Sequence, residues 1–424
     1  METEKIVFGL DIGTTKIVCL AGKLNAYGKL EVVGVGKSES LGVKRGIVNN
    51  IMQTVKSINH AITIVENEFS IKVDSVCTGI AGQHIRSLQH SDYITRNNPE
   101  KYIDASDIHK LHDNVKKLIL LPGEEIIHVL AQDYKIDGQS DISQPEGMHG
   151  SRLEANFHIV AGQTAAIKNI TKCVVESGLQ VSALNLEPLA SADAVLSSEE
   201  KEAGVVLVDI GGGTTDVAIF KNGIIKHTAV IPFGGNVITE DIKEGCSIIH
   251  KDAELLKIKF GSALPSENKD SEIVSIPGLR GHDPKEISLK NLSKIIKARV
   301  EEIIDQVYRQ ITAYGFQEGK NKLIAGIVLT GGGSQLRHIK QLTEYITGMS
   351  TRIGYSNEHL AQGTSEEISN PSYATSVGLV LRGLKLNNLE DIKETELNID
   401  DNNDNSFFET WSNRFLQYLS NDSI

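Results

Sequence analysis

The chain alternates short apolar runs, typical of β-strands, with longer stretches whose apolar residues recur at helical spacing. Strands are predicted at residues 30–35, 74–81, 125–135, 180–186 and 324–329, and helices at 50–69, 106–118, 164–177, 189–196, 235–244, 251–260, 292–314 and 374–384. Strands that alternate with helices in this way predict an α/β fold with mixed sheets.

An internal repeat indicates that the chain has two related halves. Residues 8–17 read FGLDIGTTKI, and residues 206–217 read VLVDIGGGTTDV. In each segment an apolar strand ends in Asp, a Gly/Thr turn follows, and a second apolar strand begins. Each half is therefore predicted to supply one glycine-rich hairpin. Between the two halves, residues 84–160 lose the regular alternation, which predicts a small inserted module.

The two hairpins have the chemistry of a polyphosphate site, because glycine lets backbone amides approach an anion and Thr and Lys side chains add donors. Asp11 and Asp209, which end the strands, suit a hydrated Mg²⁺ better than a phosphate. A single turn of this kind is ordinary hairpin chemistry. A third glycine cluster follows the strand at 324–329 and would let a base or ribose approach. The candidate nucleotide ligands are Gly13, Thr14, Thr15, Lys16, Gly211, Gly212, Gly213, Thr214, Thr215, Gly331, Gly332, Gly333 and Ser334.

Together the three motifs resemble the phosphate-1, phosphate-2 and adenosine motifs of the actin, Hsp70 and sugar-kinase superfamily. Residues 187–192 (EPLASA) and 371–378 (PSYATSVG) are similar to its two connecting helices. Glu254 and Lys257 are similar to the pair that clasps the nucleoside. The resemblance implies two lobes around a cleft that binds ATP and Mg²⁺.

Within that superfamily, residues 40–48, 121–130, 133–138 and 147–158 resemble the FtsA family of bacterial cell-division proteins, apart from Ala131, where proline is expected. The likeness covers residues 5–384 and implies an actin-like two-lobed ATPase fold with an inserted small α/β subdomain. It implies subdomain 1A at 1–83, 161–199 and 371–385, subdomain 1C at 84–160, subdomain 2A at 200–232 and 320–370, and subdomain 2B at 233–319.

The resemblance also makes Glu187 a candidate catalytic residue, since an acid or amide near this position orients the water that attacks the γ-phosphate. The alternative is a capping carboxylate at the start of the helix after Pro188. Relatives in the FtsA family tend to be poor ATPases. We therefore expect ATP binding with at most weak hydrolysis.

The charge of the chain is unevenly distributed, and much of it lies near the C-terminal end. The 424 residues carry a net charge of −12 and show no basic stripe, which argues against a nucleic-acid partner. The four cysteines lie far apart and suggest neither a zinc site nor a disulfide framework. Half of the net charge falls in residues 386–405, which hold seven acids and one lysine. This composition predicts a disordered linker.

An amphipathic helix is predicted after the linker, within residues 406–424. A helix of about twelve residues is ~18 Å long, too short to span a bilayer, and its aromatic face suits the headgroup boundary. It resembles the membrane-targeting helix of the FtsA family, which implies a location on the cytoplasmic face of the cell membrane at the division site. The alternatives are packing on the body or in a partner's groove. The candidate membrane residues are Phe407, Phe408, Trp411, Phe415, Leu416 and Leu419.

Arg299 and Glu302, on the outward face of the helix at 292–314, match the positions at which FtsA relatives receive the C-terminal peptide of the tubulin-like protein FtsZ. The simpler interpretation is a solvated face. The resemblance further implies self-assembly into actin-like protofilaments, tethering of FtsZ filaments to the membrane, and recruitment of later division proteins. Two other classes share this fold, a sugar or metabolite kinase and an Hsp70-like chaperone, and neither has a use for an amphipathic tail.

Overall fold

The computed structural model describes residues 5–278, 283–316 and 322–397. The chain opens with β1 (Val7–Ile12), β2 (Lys16–Leu24), β3 (Leu30–Glu39), β4 (Val43–Lys44), β5 (Ile47–Val48), α1 (Ile51–Phe69) and β6 (Ser75–Ile80). Asn50 caps α1 by accepting a hydrogen bond from the amide of Gln53, and the left-handed Ser70 ends the helix. The apolar stripe of α1 packs against β2 and β3.

An inserted module follows. It consists of β7 (Ile85–Thr95), α2 (Ala105–Lys116), β8 (Glu124–Ile136), β9 (Gln139–Ile142) and β10 (Arg152–Gln163). The four strands pair in the order β7-β10-β8-β9, all antiparallel, and α2 packs on the sheet over a separate apolar core. Of these elements only α2 and β8 are predicted from the sequence.

The chain then completes the first lobe with α3 (Thr164–Glu176), β11 (Gln180–Leu186), α4 (Glu187–Val195) and α5 (Ser198–Ala203). The five-stranded sheet of this lobe has the order β11-β6-β1-β2-β3. β1 runs parallel to β6 and antiparallel to β2, so the β1–β2 hairpin lies in the middle of the sheet.

The second lobe is built on another five-stranded sheet, in the order β14-β13-β12-β17-β18. Its helices pack over a core of buried Val, Ile and Leu side chains. The elements are β12 (Val205–Ile210), β13 (Thr215–Lys221), β14 (Ile224–Ile231), α6 (Gly235–Cys246), α7 (His250–Phe260), β15 (Ile273–Ile276), β16 (Lys285–Ser288), α8 (Leu289–Ala313), β17 (Gly326–Thr330), α9 (Ile339–Thr347), β18 (Thr351–Ile353) and α10 (Glu366–Ser369).

The structure confirms the internal repeat and the α/β class. Ile12 pairs with Ile17 across the β1–β2 hairpin, and Ile210 pairs with Thr215 across the β12–β13 hairpin. Each hairpin has a parallel strand beside its first strand, β6 in one lobe and β17 in the other.

The last helix, α11 (Ala374–Leu397), returns from the second lobe and packs on β1. It is longer than predicted from the sequence, which indicates a helix that ends at residue 384 and a disordered linker that begins at 386. Residues 386–397 continue the helix instead. This segment alternates its acids with Leu, Ile and Lys, and Leu, Lys and Glu are strong helix formers. The rest of the predicted linker and the tail, residues 398–424, lie outside the described residues.

In the part of the chain that the structure describes, no helix has both the length and the apolar character needed to cross a membrane.

Candidate functional site

The two hairpins form nearly identical turns. The amide of Gly13 donates to the carbonyl of Lys16 at 3.1 Å, and the amide of Gly211 donates to the carbonyl of Thr214 at 2.9 Å. These bonds close each turn at the carboxyl end of a buried central strand. The repeat seen in the sequence is therefore a repeat of backbone geometry.

The hairpins of the two lobes face each other in direct contact. A β-carbon placed on Gly212 would lie 2.0 Å from Oγ1 of Thr15, and one on Gly213 would lie 2.6 Å from Oγ1 of Thr14. A larger residue at either glycine would require the opposing threonine side chain to move. The structure thus brings together the residues that the sequence analysis assigned to one site from positions two hundred residues apart.

The strand-ending aspartates are fixed by hydroxyl groups of the two connecting helices, α4 and α11. Ser376 of α11 donates to Oδ2 of Asp11 at 3.1 Å. Asp209 accepts at Oδ2 from Ser191 of α4 at 2.6 Å and from Thr375 of α11 at 3.3 Å. Both carboxylates are buried, and these bonds leave the other oxygen of each for a ligand.

Two further acids belong to this cluster, Glu187 at the start of α4 and Asp216 on β13. Burial, together with the charge of Asp209, raises the pKa of Asp216 to about 8. Burial and the neighbouring Asp11, Asp216 and Asp209 raise the pKa of Glu187 well above its usual value. Burial also raises the pKa of Asp11 to about 6. Four acids that resist ionisation together form a site that requires positive charge.

Asp216 is a site residue that could not be recognised from the sequence, although it lies in the repeat segment at residues 206–217. It is buried, its Oδ2 accepts from the hydroxyl of Thr214 at 3.1 Å, and its Oδ1 has no hydrogen-bond partner in the described chain. Its spacing of seven residues from Asp209 is the only sequence signal, and the spacing acquires meaning only when β13 folds back beside β12.

This set of acids fits a hydrated Mg²⁺. Among the described residues, no three His, Cys, Asp or Glu side chains form a ready-made metal cage. Mg²⁺ does not need one, because it usually keeps several waters and takes one or two carboxylates together with substrate phosphates. The unpartnered Oδ1 of Asp216 is an acceptor that a water of such an ion would satisfy.

Lys16 supplies the cation of the first hairpin. Its Nζ lies 3.7 Å from the centroid of the Tyr373 ring and 3.3 Å from Oγ of Ser372. Burial lowers the pKa of Lys16 to about 8, although the charge of Asp11 opposes that shift. The ammonium group of Lys16 therefore lies near Asp11 on one side and near the segment that leads into α11 on the other.

Packing within the protein accounts for part of the third glycine cluster. A β-carbon on Gly331 would lie 2.2 Å from Oδ1 of Asp209, and one on Gly333 would lie 2.3 Å from a side-chain carbon of Ile210. Packing against β12 therefore explains both glycines without a ligand. Gly332 has open space above it, and the buried Ser334 donates to the carbonyl of Gly331 at 2.8 Å.

Glu254 and Lys257 lie one turn apart on α7 and form an ion pair of 2.7 Å. Lys257 also donates to the carbonyl of Gly235 at 2.9 Å and to the hydroxyl of Thr239 at 2.7 Å, both on α6. The amide of Gly235 in turn donates to the carbonyl of Gly211 at 2.9 Å. The pair is therefore joined through α6 to the second hairpin.

Arg299 is already engaged within the second lobe. Its guanidinium makes a two-pronged contact with the carboxylate of Asp241 on α6, at 2.6 and 3.0 Å, and also contacts Glu302. An acidic peptide that pairs with Arg299 has to compete with Asp241. The six candidate membrane residues lie outside the described residues.

Two family models match the chain. The model described as cell division protein FtsA matches residues 206–378, and the model of the SHS2 domain inserted in FtsA matches residues 82–161. The chain is 40% identical to the cell division protein FtsA of Pseudomonas aeruginosa over 91% of each chain. It is 33% identical to FtsA of Escherichia coli K12 over 90% of each chain.

Solved structures share the fold at lower identity. A type IV pilus biogenesis complex of PilM and PilN matches with a TM-score of 0.63 at 17% identity, covering 89% of this chain and 98% of that one. MreB5 of Spiroplasma citri, solved with AMPPNP bound, matches with a TM-score of 0.53 at 16% identity, covering 94% of this chain and all of that one.

Proposed function

Because the chain belongs to the FtsA family of cell division proteins and has an actin-like fold, we propose that it binds MgATP between its lobes and tethers FtsZ filaments to the cell membrane. The observation that carries the ATP proposal is the contact between two equivalent glycine-rich hairpins, one from each lobe, above a cluster of buried acids. The family membership leaves the kinase and chaperone alternatives without support.

The hairpins suit a polyphosphate held from both sides. The donors would be the backbone amides of Gly212 and Gly213, the hydroxyls of Thr14 and Thr15, and the ammonium of Lys16. The amides of Gly13 and Gly211 close the two turns, and the hydroxyls of Thr214 and Thr215 donate to Asp216 and to the carbonyl of Phe233. Glu254 and Lys257 border the second hairpin through α6, where a nucleoside would lie beside the phosphates, next to Gly332. MreB5 in its AMPPNP-bound structure, a neighbour in fold, is a nucleotide-binding precedent for this architecture.

Mg²⁺ would be held through water by Asp11 and Asp209, with Asp216 as a further acceptor, and would neutralise charge on the phosphates. Glu187 would orient an attacking water. In the described chain Glu187 accepts no hydrogen bond from the first-turn amides of α4, so the capping alternative gains no support. Burial and the neighbouring acids raise the pKa of Glu187, so a bound cation would favour its ionised form.

A calorimetric titration with MgATP tests the nucleotide proposal. Lys16→Gln should weaken binding by roughly ten-fold or more, because it removes a charged donor to phosphate. Lys37→Gln is the matched control, since Lys37 also lies near the Tyr373 ring, at 5.8 Å, but outside the hairpin. Glu187→Gln should keep the affinity and reduce turnover. If the unchanged chain and the Lys16→Gln variant bound MgATP with equal affinity, the role of Lys16 as a phosphate ligand would be contradicted.

The membrane element is the predicted amphipathic helix within residues 406–424. A single short helix binds a bilayer weakly and reversibly, so firm attachment requires several tails on one assembly. Self-assembly into an actin-like protofilament would supply them. This requirement would couple polymerisation to membrane binding. The membership of the FtsA family supports the further proposal that the assembly recruits later division proteins at the division site.

The surface proposed for the C-terminal peptide of FtsZ includes Arg299 and Glu302 on α8. Arg299 is 22% exposed, and its guanidinium lies 5.9 Å from the ring centroid of Phe233. A carboxylate of an acidic peptide would replace Asp241 or Glu302 as the partner of Arg299. Binding would therefore exchange one carboxylate for another at the guanidinium. An exchange of this kind suits a reversible tether.

A further inference from the structure

The hairpin of β4 and β5 carries an unusual residue at its tip. Lys44 pairs with Ile47, so Arg45 and Gly46 form a two-residue turn with φ of 50° and 72°. Turns with positive φ at both central residues favour Asn, Asp or Gly. Arginine at the first position indicates that its side chain, rather than the turn, is what the position requires.

The tip of the β4–β5 hairpin lies between the two glycine-rich hairpins. The amide of Gly46 donates to Oγ1 of Thr14 at 3.2 Å, which joins the tip to the first hairpin. A β-carbon on Gly213 would lie 2.8 Å from the Cα of Arg45, which joins the tip to the second hairpin. The short β4–β5 hairpin therefore touches both lobes at the point where their glycine-rich turns meet.

The positive charge of Arg45 has no partner among the described residues. The side chain of Arg45 is exposed, and it makes no hydrogen bond or ion pair within residues 5–278, 283–316 and 322–397. Lys16, by contrast, already has its ammonium over the Tyr373 ring. An extended arginine side chain carries its guanidinium well beyond the short gap between the Cα of Arg45 and the turn at Gly213.

Resting on the proposed nucleotide site, we propose that Arg45 is a direct ligand of the bound polyphosphate and bridges the two lobes across it. The guanidinium would pair with phosphate oxygens as a two-pronged donor, next to a cluster of acids that needs added positive charge when ATP arrives. Neither glycine-rich motif includes this residue.

The tip also touches the entry to the inserted module. A β-carbon on Gly46 would lie 2.6 Å from the carbonyl of Ala81, and one on Gly82 would lie 3.1 Å from the carbonyl of Arg45. Residues 81–82 lead directly into the turn before β7. A phosphate that fixes Arg45 would therefore also fix the root of the inserted module.

Calorimetric titration of the full chain with MgATP, MgADP and AMP tests the proposal. Arg45→Gln should weaken ATP binding by roughly ten-fold, ADP binding by less, and AMP binding not at all, because each loss follows the phosphates available to the guanidinium. Arg45→Lys should recover part of the ATP affinity. Lys44→Gln, which removes the neighbouring exposed cation that faces Glu240, should leave all three affinities unchanged.

Equal losses for the three nucleotides would show that the change merely distorts the site, and would overturn the role of Arg45. Unchanged ATP affinity in Arg45→Gln would overturn it as well, while leaving the ATP site of the unchanged chain intact. If the unchanged chain failed to bind ATP, the proposed function itself would fall. The melting temperature of each variant, measured without nucleotide, checks that the turn is preserved.

Discussion

Asp216 shows how the fold changes the chemistry of one side chain. In an unfolded chain its carboxyl would ionise near the ordinary value of 3.8, whereas in the folded chain burial raises its pKa to about 8. The folded state therefore binds a proton more tightly than the unfolded state between these values. Without Mg²⁺, this residue makes the free energy of unfolding fall as the pH rises from about 4 to 8.

Asp216→Asn should remove that pH dependence. Compared with the unchanged chain, the variant should gain about 1–3 kcal/mol in the free energy of unfolding at pH 8 in EDTA, and much less at pH 5. It should also lose the stabilisation that MgATP gives. Thermal melts at the two pH values, with and without MgATP, measure both effects. An equal change at both pH values would contradict the assigned pKa.

The sequence predicted part of the site because the two hairpins are local. Each hairpin can be recognised in the sequence as an apolar strand followed by a turn of glycine and threonine, at Gly13–Lys16 and at Gly211–Thr215. The repetition of this pattern supports the prediction. The acid cluster is a tertiary feature, since Glu187 and Asp216 meet only when α4 passes beside β13. Gly331 and Gly333 were assigned to a ligand, and the structure shows that packing on β12 already requires them.

At the scale of elements, the two connecting helices hold the hairpins together. α4 and α11 cross so closely that a β-carbon on Gly378 would lie 1.8 Å from the carbonyl oxygen of Ala190. A buried ion pair of 2.9 Å between Asp193 and Arg382 joins the same helices. Burial alone would raise the pKa of Asp193, but Arg382 and Lys201 hold it far below its usual range. Because these helices carry the hydroxyls that bind Asp11 and Asp209, their crossing sets the acid cluster.

Gly378→Ala should separate these helices. The added methyl group meets backbone rather than a movable side chain, so we expect a loss of about 3 kcal/mol in the free energy of unfolding and weaker ATP binding. Gly383→Ala, on the same helix, is the comparison, because its methyl group meets a methyl of Val7 and it improves helix propensity. Chemical unfolding and MgATP titration of both variants measure the difference. Equal losses in the two variants would contradict the role given to the crossing.

Long periodic helices such as α1 and α8 were predicted within a few residues of their bounds. The strands β7 and β10 were missed because their sequences carry many polar residues. The structure shows why β7 tolerates them. Ser87 donates to the carbonyl of Thr228 at 2.7 Å, and Gln89 donates to that of Lys226 at 3.1 Å, both on β14 of the second lobe. Polar side chains that bond across the lobes cannot be recognised from periodicity.

At the scale of the whole molecule, the net charge of −12 does not exclude a membrane partner. Half of that charge lies in residues 386–405, and α11 continues as helix through the first part of this segment, to Leu397. The predicted membrane helix follows the acidic segment and has one acid and one base on its polar face. Its binding should therefore depend on apolar area rather than on anionic lipid.

Trp411→Glu should release the chain from vesicles of neutral phosphatidylcholine while MgATP affinity stays unchanged. Loss of one large buried side chain lowers the affinity by roughly ten-fold or more, and multivalent assembly enlarges the effect. Trp411→Phe, which keeps an aromatic ring, should retain most of the binding. Co-sedimentation at low and high salt measures it. Undiminished pelleting of Trp411→Glu, or release of the unchanged chain by salt, would contradict apolar insertion.

The most direct test of the central claim is liposome flotation of the full chain with FtsZ and MgATP. FtsZ should float with the lipid only when this chain and MgATP are both present. With Trp411→Glu, both proteins should stay at the bottom of the gradient. The double variant that combines Arg299→Glu with Glu302→Arg should float with the lipid, but without FtsZ. FtsZ that stays at the bottom while the unchanged chain floats with MgATP would contradict the account.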